Sequence, residues 1–297
     1  MRRRRLAGAI LRTAAPVLPR KTPPDRPVFV LGSPRSGTTL LFEVLGRSQR
    51  LASLEVESHL LWEMFHPLDA GGSTSHELGP ADVTNRERRV LHWAVDRVSA
   101  GRRYLDKAPR NCLRVPYLDA LFPGALFVHL KRDGRAAVSS LITGWRSGDE
   151  MFAGTRMPRP LSIAGYAGQT WKFLVPPGWE AYATGKSLEE VCAFQWISAN
   201  HAILAAREGI EPERWVEASY EELVARPREE AERLLERVGL PGDRDVLAAA
   251  AAMDRHVTKA ITPPKPDKWR TENPHQIERV LPMIEPTMRR LGYGVEG

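Results

Sequence analysis

Short unbroken apolar runs alternate along the chain with stretches in which apolar residues recur every three or four positions. Val28-Phe29-Val30-Leu31 ends at Gly32 and predicts a strand buried on both faces. Thr39 to Leu45 follows at helical spacing, after a turn that contains glycine. Asp69 to Pro80 is rich in Gly and Ser and predicts a loop. Thr84 with Glu87 forms a capping box for a helix that carries Val90, Leu91, Ala94, Val95 and Val98 on one side. Tyr104-Leu105 and Ala125 to Leu130 predict further strands, the second more clearly. Ser187 with Glu190 caps a helix through Val191, Phe194, Ile197 and Leu204 to Gly209. Trp215 to Ala218 predicts another strand, and Pro227 opens a helix that closes at Gly239. The last segment carries Ile277, Val280, Leu281, Ile284, Met288 and Leu291, with Pro282 and Pro286 expected to kink or split its helix. Strands alternating with helices, with no internal repeat, predict an α/β fold whose parallel sheet is covered on both faces.

The 297 residues suit one α/β domain with a tail, and 42% hydrophobic with 27% charged residues is a globular composition. No apolar stretch is long enough to span a bilayer. The net charge of +7 is local: residues 1 to 26 hold eight Lys and Arg against Asp25 alone. The rest of the chain is neutral, so a basic body that coats a nucleic acid polymer is excluded. The leader, residues 1–24, has the make-up of a solvated tail or of a short basic helix in peripheral contact with a membrane. Cys112 and Cys192 cannot build a disulfide framework, and free thiols in a reducing cytoplasm are the simplest reading.

The candidate chemistry begins at Gly32-Ser33-Pro34-Arg35-Ser36-Gly37-Thr38-Thr39, between a strand and a helix. Glycines let the backbone curl so that its N–H groups point inward, and the helix start adds its positive end; together they cradle an anion. The spacing matches the triphosphatase loop except after Gly37, where Thr38 replaces the lysine that holds nucleoside triphosphate. Arg35 is the cation of this loop, and a guanidinium suits a leaving phosphate without a metal.

These residues resemble the 5′-phosphosulfate loop of sulfotransferases that use 3′-phosphoadenosine 5′-phosphosulfate (PAPS). The arginine form is shared with tyrosylprotein sulfotransferases; heparan sulfate sulfotransferases carry lysine there. A second segment, Phe127 to Ser140, is similar to the family stretch in which an Arg and a Ser, here Arg132 and Ser140, hold the 3′-phosphate. Asp106-Lys107-Ala108-Pro109 resembles the segment that supplies a catalytic lysine, here Lys107. Ser219-Tyr220 resembles a nucleotide-touching tyrosine segment, and Lys268-Trp269-Arg270 a late segment near the phosphates. The resemblance implies a P-loop-type three-layer fold, with a central parallel sheet flanked by helices, over residues 25–297. It implies PAPS as donor, with Ser33, Arg35, Ser36, Gly37, Thr38, Thr39, Arg132, Ser140, Tyr220 and Lys268 in the nucleotide site.

Sulfuryl transfer to a hydroxyl or amine needs a base. Glu55-Val56-Glu57-Ser58-His59 resembles the Glu-x-Glu-x-His segment of heparan sulfate sulfotransferases, which favours Glu57; Glu55 and His59 are the other candidates. Arg35, Glu57 and Lys107 are then the catalytic set. No two histidines stand at ligand spacing, so no metal is expected. Residues 145 to 182 hold seven of the chain's 22 aromatics, an enrichment of roughly 2.5-fold. They predict either an acceptor-binding lid over 145–186 or a loop-rich satellite core. The acceptor is expected to be a small molecule, lipid, glycan or peptide. Two other classes stay open on sequence alone: a small-molecule kinase using ATP and magnesium, and a non-catalytic nucleotide-binding protein.

Overall fold

The computed structural model describes residues 24–54, 59–68, 75–148, 152, 154–253 and 267–294. Five parallel strands form the central sheet in the order β2-β3-β1-β4-β8. They are β1 (Val28–Leu31), β2 (Leu51–Ala52), β3 (Arg103–Lys107), β4 (Leu126–Lys131) and β8 (Trp215–Ser219). The strand period of two divides their side chains between two cores. Val28, Val30, Leu126 and Val128 face one cluster, with α1 (Thr38–Leu45), α8 (Pro227–Arg237) and α9 (Arg244–Ala251). Phe29, Leu31 and Phe127 face the other, with α3 (Asn85–Ser99), α4 (Val115–Leu121) and α6 (Leu188–Arg207). The expected three-layer α/β arrangement is what forms. Every residue of β1 is at most 1% exposed, and each such buried side chain contributes about 1.5–3 kcal/mol.

Register decides where the chemistry goes. Val30 lies beside both Lys107 and Val128, and Lys131 lies beside Ser219. The carboxyl ends of β1, β3, β4 and β8 therefore share one edge, the edge where open α/β sheets bind ligands. The loop after Leu31, Lys107, Arg132 and Tyr220 all emerge there.

A third core joins α5 (Gly134–Arg146), α6 and α11 (Pro274–Arg290) to a smaller sheet in the order β6-β5-β7. Its strands are β5 (Gly154–Ala164), β6 (Tyr166–Lys172) and β7 (Thr184–Ser187). Trp145, Trp171, Phe173 and Trp179 of the aromatic-rich segment are buried in this core.

Of the two expectations for the final helix, a split does not occur, since α11 runs unbroken through both prolines. Pro282 and Pro286 are exposed while Ile277, Val280, Ile284 and Met288 are buried. The hydrogen bonds that proline removes are thus lost on the solvent face, where water satisfies the freed carbonyls.

Candidate active site

The loop after β1 is held open by two left-handed residues, Arg35 (φ 71°) and Gly37 (φ 88°). The Ser36 N–H donates to the Ser33 carbonyl at 3.1 Å, and the Ser33 and Ser36 hydroxyls lie 2.6 Å apart. Gly37 caps α1 with no side-chain hydrogen bond, so the first amides of that helix, from Thr38 and Thr39, are left for an anion. Glycine is required at both ends of the loop. A Cβ on Gly32 would stand 2.7 Å from the Leu130 carbonyl oxygen, and one on Gly37 would run into the Tyr220 ring.

Four side chains from distant segments surround this cradle. Arg132, one residue past β4, donates through Nη1 to the Arg35 carbonyl at 2.6 Å and stacks 4.3 Å over the Tyr220 ring. Asp133 pairs with Arg135 rather than Arg132. Arg132 Nε is buried without a partner. The Arg35 side chain donates through Nε to Ser140 Oγ at 3.1 Å and lies 4.6 Å over Phe152. Burial and then the nearby Arg132 charge pull the Arg35 guanidinium down to about 10. Two adjacent cations, one with a buried N–H unsatisfied, fit a polyanionic nucleotide.

Lys107 ends β3 on the same edge and is only 6% exposed. It is followed by the turn Pro109–Leu113, whose Cys112 thiol donates to the Gly32 carbonyl at 2.8 Å. Burial raises that thiol to about 12, so it is an inert brace under the loop. The structure thus brings together Ser33, Arg35, Ser36, Gly37, Thr38, Thr39, Arg132, Ser140 and Tyr220, with Lys107 on the neighbouring strand end. Lys268 is tied to Glu272 at 3.3 Å, and its segment packs on α5 through Trp269 against Arg135 and Asn273 against Ser139. Glu55 and Glu57 lie outside the described residues, as do the His59 side chain and residues 1–23. Among the described residues no group of three His, Cys, Asp or Glu side chains could hold a metal, and no helix is long and apolar enough to cross a membrane.

Phe152, beside Arg35, is one of the aromatics of the 145–182 segment expected to form an acceptor-binding lid or a satellite core; Arg110 and Glu63, beyond Lys107, were not among the candidate residues. Arg110 stands three residues after Lys107, immediately past the Lys-x-Pro segment, and that proximity was the available signal.

Comparison with known proteins places this geometry. The profile of the sulfotransferase family matches residues 27–164 and 169–245, which include Arg35, Lys107, Arg132, Ser140 and Tyr220 but not Lys268. Protein-tyrosine sulfotransferase 1 of Danio rerio is 24% identical over 278 residues, covering 90% of this chain and 72% of that protein. An "Uncharacterized protein" of Aquifex aeolicus is 34% identical over 122 residues, 37% of this chain and 16% of that one. The sulfotransferase domain from the curacin biosynthetic pathway shares the fold at a TM-score of 0.54 and 17% identity, covering 93% of this chain and 100% of that domain. The chain belongs to the sulfotransferase family.

Proposed function

We propose that the cradle and the residues around it divide the work of sulfuryl transfer to an acceptor hydroxyl. The observation that carries this reading is the shared strand-end edge, where the loop amides, Arg35, Lys107 and Arg132 converge. PAPS, when bound, supplies an activated sulfuryl group on a phosphate that departs readily. The amides of Gly37, Thr38 and Thr39, with the Ser33 and Ser36 hydroxyls, bind the 5′-phosphate side. Arg35 and Lys107 stabilise the charge that develops on the leaving phosphate. Arg132 and Ser140 hold the 3′-phosphate, and Tyr220 orients Arg132 by stacking. Lys268 belongs to the rim of the same nucleotide site. Glu57 takes the proton from the acceptor oxygen.

The acceptor is a metabolite, lipid or glycan hydroxyl, bound beside Phe152 and the β5–β6 sheet, where residues 145–186 act as the acceptor-side cover. Both cysteines are buried free thiols, which supports a reducing compartment such as the cytoplasm. Incubating the full chain with [³⁵S]PAPS and a panel of phenols, alcohols and sugars tests the reading. Label passes to at least one hydroxyl class without added metal. Label released only as inorganic sulfate, whatever the acceptor, contradicts it.

A further inference from the structure

Beyond the nucleotide cradle, two buried guanidiniums converge on one carboxylate oxygen. Arg110 Nη1 donates to Glu63 Oε1 at 2.5 Å, and Arg114 Nη2 donates to the same oxygen at 3.2 Å. Both arginines are fixed from behind by neutral groups. Arg110 donates through Nε to the Phe173 carbonyl at 3.4 Å and through Nη2 to Thr155 Oγ1 at 3.3 Å. Arg114 donates through Nε to the His76 carbonyl at 2.8 Å. The His76 ring continues the brace: Nδ1 accepts from the Val175 N–H at 2.8 Å, which leaves its proton on Nε2, 3.2 Å from Thr155 Oγ1.

Among the described residues the charges do not balance. Two guanidiniums share one carboxylate, and Arg114 Nη1 is buried with no hydrogen-bond partner. Burial already lowers the Arg114 guanidinium from its ordinary value, with Glu63 opposing and Arg110 adding to the shift. Buried charge persists at low cost only when it is paired, so this cluster favours one more negative charge than Glu63 supplies. The three side chains also differ in freedom. Glu63 is 19% exposed and lies just past the single turn α2 (His59–Trp62), whereas the Arg110 and Arg114 side chains are 8% and 1% exposed. The carboxylate is the exchangeable member, and the arginines are the fixed receptor.

The place is on the acceptor side. Arg35 lies over Phe152, Phe152 packs against Phe173 with ring centres 5.3 Å apart, and the Phe173 carbonyl holds Arg110. Phe173 is itself held at φ 64°, a left-handed strain that bulky residues adopt only where the surroundings enforce it. We propose that Arg110 and Arg114 form a carboxylate-binding subsite for the acceptor, with the Glu63 carboxylate as an internal stand-in that the acceptor's own carboxylate displaces. This rests on the sulfotransferase reading and narrows it: the acceptor is a hydroxyl compound that also carries a carboxylate.

Benzoate and its neutral counterpart benzamide are the probes, titrated by calorimetry into the full chain saturated with 3′-phosphoadenosine 5′-phosphate (PAP). Benzoate binds roughly tenfold or more tightly than benzamide, and Arg110→Gln removes that preference. Glu63→Gln deletes the competing carboxylate, so benzoate binds the variant roughly threefold or more tightly than wild type, and benzoate raises the variant's Tm. A pair that only braces the turn behaves oppositely: Glu63→Gln lowers Tm and gains no benzoate affinity. That result overturns the proposal, as does equal binding of benzoate and benzamide. If Arg110→Gln fails to fold, the Glu63→Gln comparison decides alone. PAP titrated by itself separates the two claims. Binding of PAP without a benzoate preference removes the subsite and keeps the sulfotransferase reading; a benzoate preference without PAP binding does the reverse.

Discussion

Replacing Gly37 with alanine separates two costs that the structure keeps apart. The first is backbone strain: at φ 88° an L-residue costs about 1–2 kcal/mol. The folded state bears this whether or not nucleotide is bound, so it lowers Tm. The second is a collision, because the new Cβ would stand 2.7 Å from Tyr220 Cε2 and closer still to Cδ2. The ring must move, and Arg132, which stacks 4.3 Å over it, loses a contact worth about 0.5–2 kcal/mol. That second part falls on nucleotide binding, a weakening of about 2- to 30-fold. The assay is a double-mutant cycle with Tyr220→Ala, read by PAP calorimetry and by thermal melting. Tyr220→Ala alone weakens PAP by a similar factor. Added to Gly37→Ala it weakens PAP little further and recovers none of the backbone part of the Tm loss. Fully additive losses of affinity would refute the reasoning, since they would mean that the methyl group and the ring act through separate routes.

Two further outcomes follow from buried ionisable groups. Lys107→Ala lowers kcat by about 10²–10³-fold while KM for PAPS changes by only a few fold; steady-state kinetics on any accepted hydroxyl checks this, and a change confined to KM contradicts it. His129 is buried in β4, and burial pulls its imidazole down to about 4 from 6.5. Above 6.5 it is neutral in both folded and unfolded chains. As pH falls from 6.5 toward 4 the unfolded chain takes up a proton that the folded chain refuses, and stability drops by an amount on the order of 3 kcal/mol. Melting curves across that interval show the fall in wild type and a flatter slope in His129→Phe; parallel slopes for the two proteins would assign the acid sensitivity elsewhere.

The central sheet was legible because its strands are buried on both faces and stand as unbroken apolar runs, as Val28 to Leu31 does. The cradle was legible for a different reason: an anion loop needs its glycines, arginine and hydroxyls contiguous in the chain. Much else depends on distant neighbours. β2 is only two residues, Leu51 and Ala52, too short to carry a period. β5 contains Pro158 and Pro160 and buries only Met157, Leu161 and Ile163, so its alternation is too sparse to read as strand. The stacking of Arg132 on Tyr220, the placement of Phe152 on Arg35 and the sharing of Glu63 by two arginines join segments far apart in sequence. Propensity does not encode such contacts; the parallel register that aligns the strand ends creates them.

Calorimetric titration of the purified chain with PAP, beside adenosine 5′-phosphate and ATP–magnesium, tests the assigned chemistry most directly. Binding of PAP at micromolar or tighter affinity, lost when the 3′-phosphate is absent and lost in Arg132→Ala, is the expected result. Preference for ATP–magnesium, or equal indifference to all three nucleotides, would contradict it.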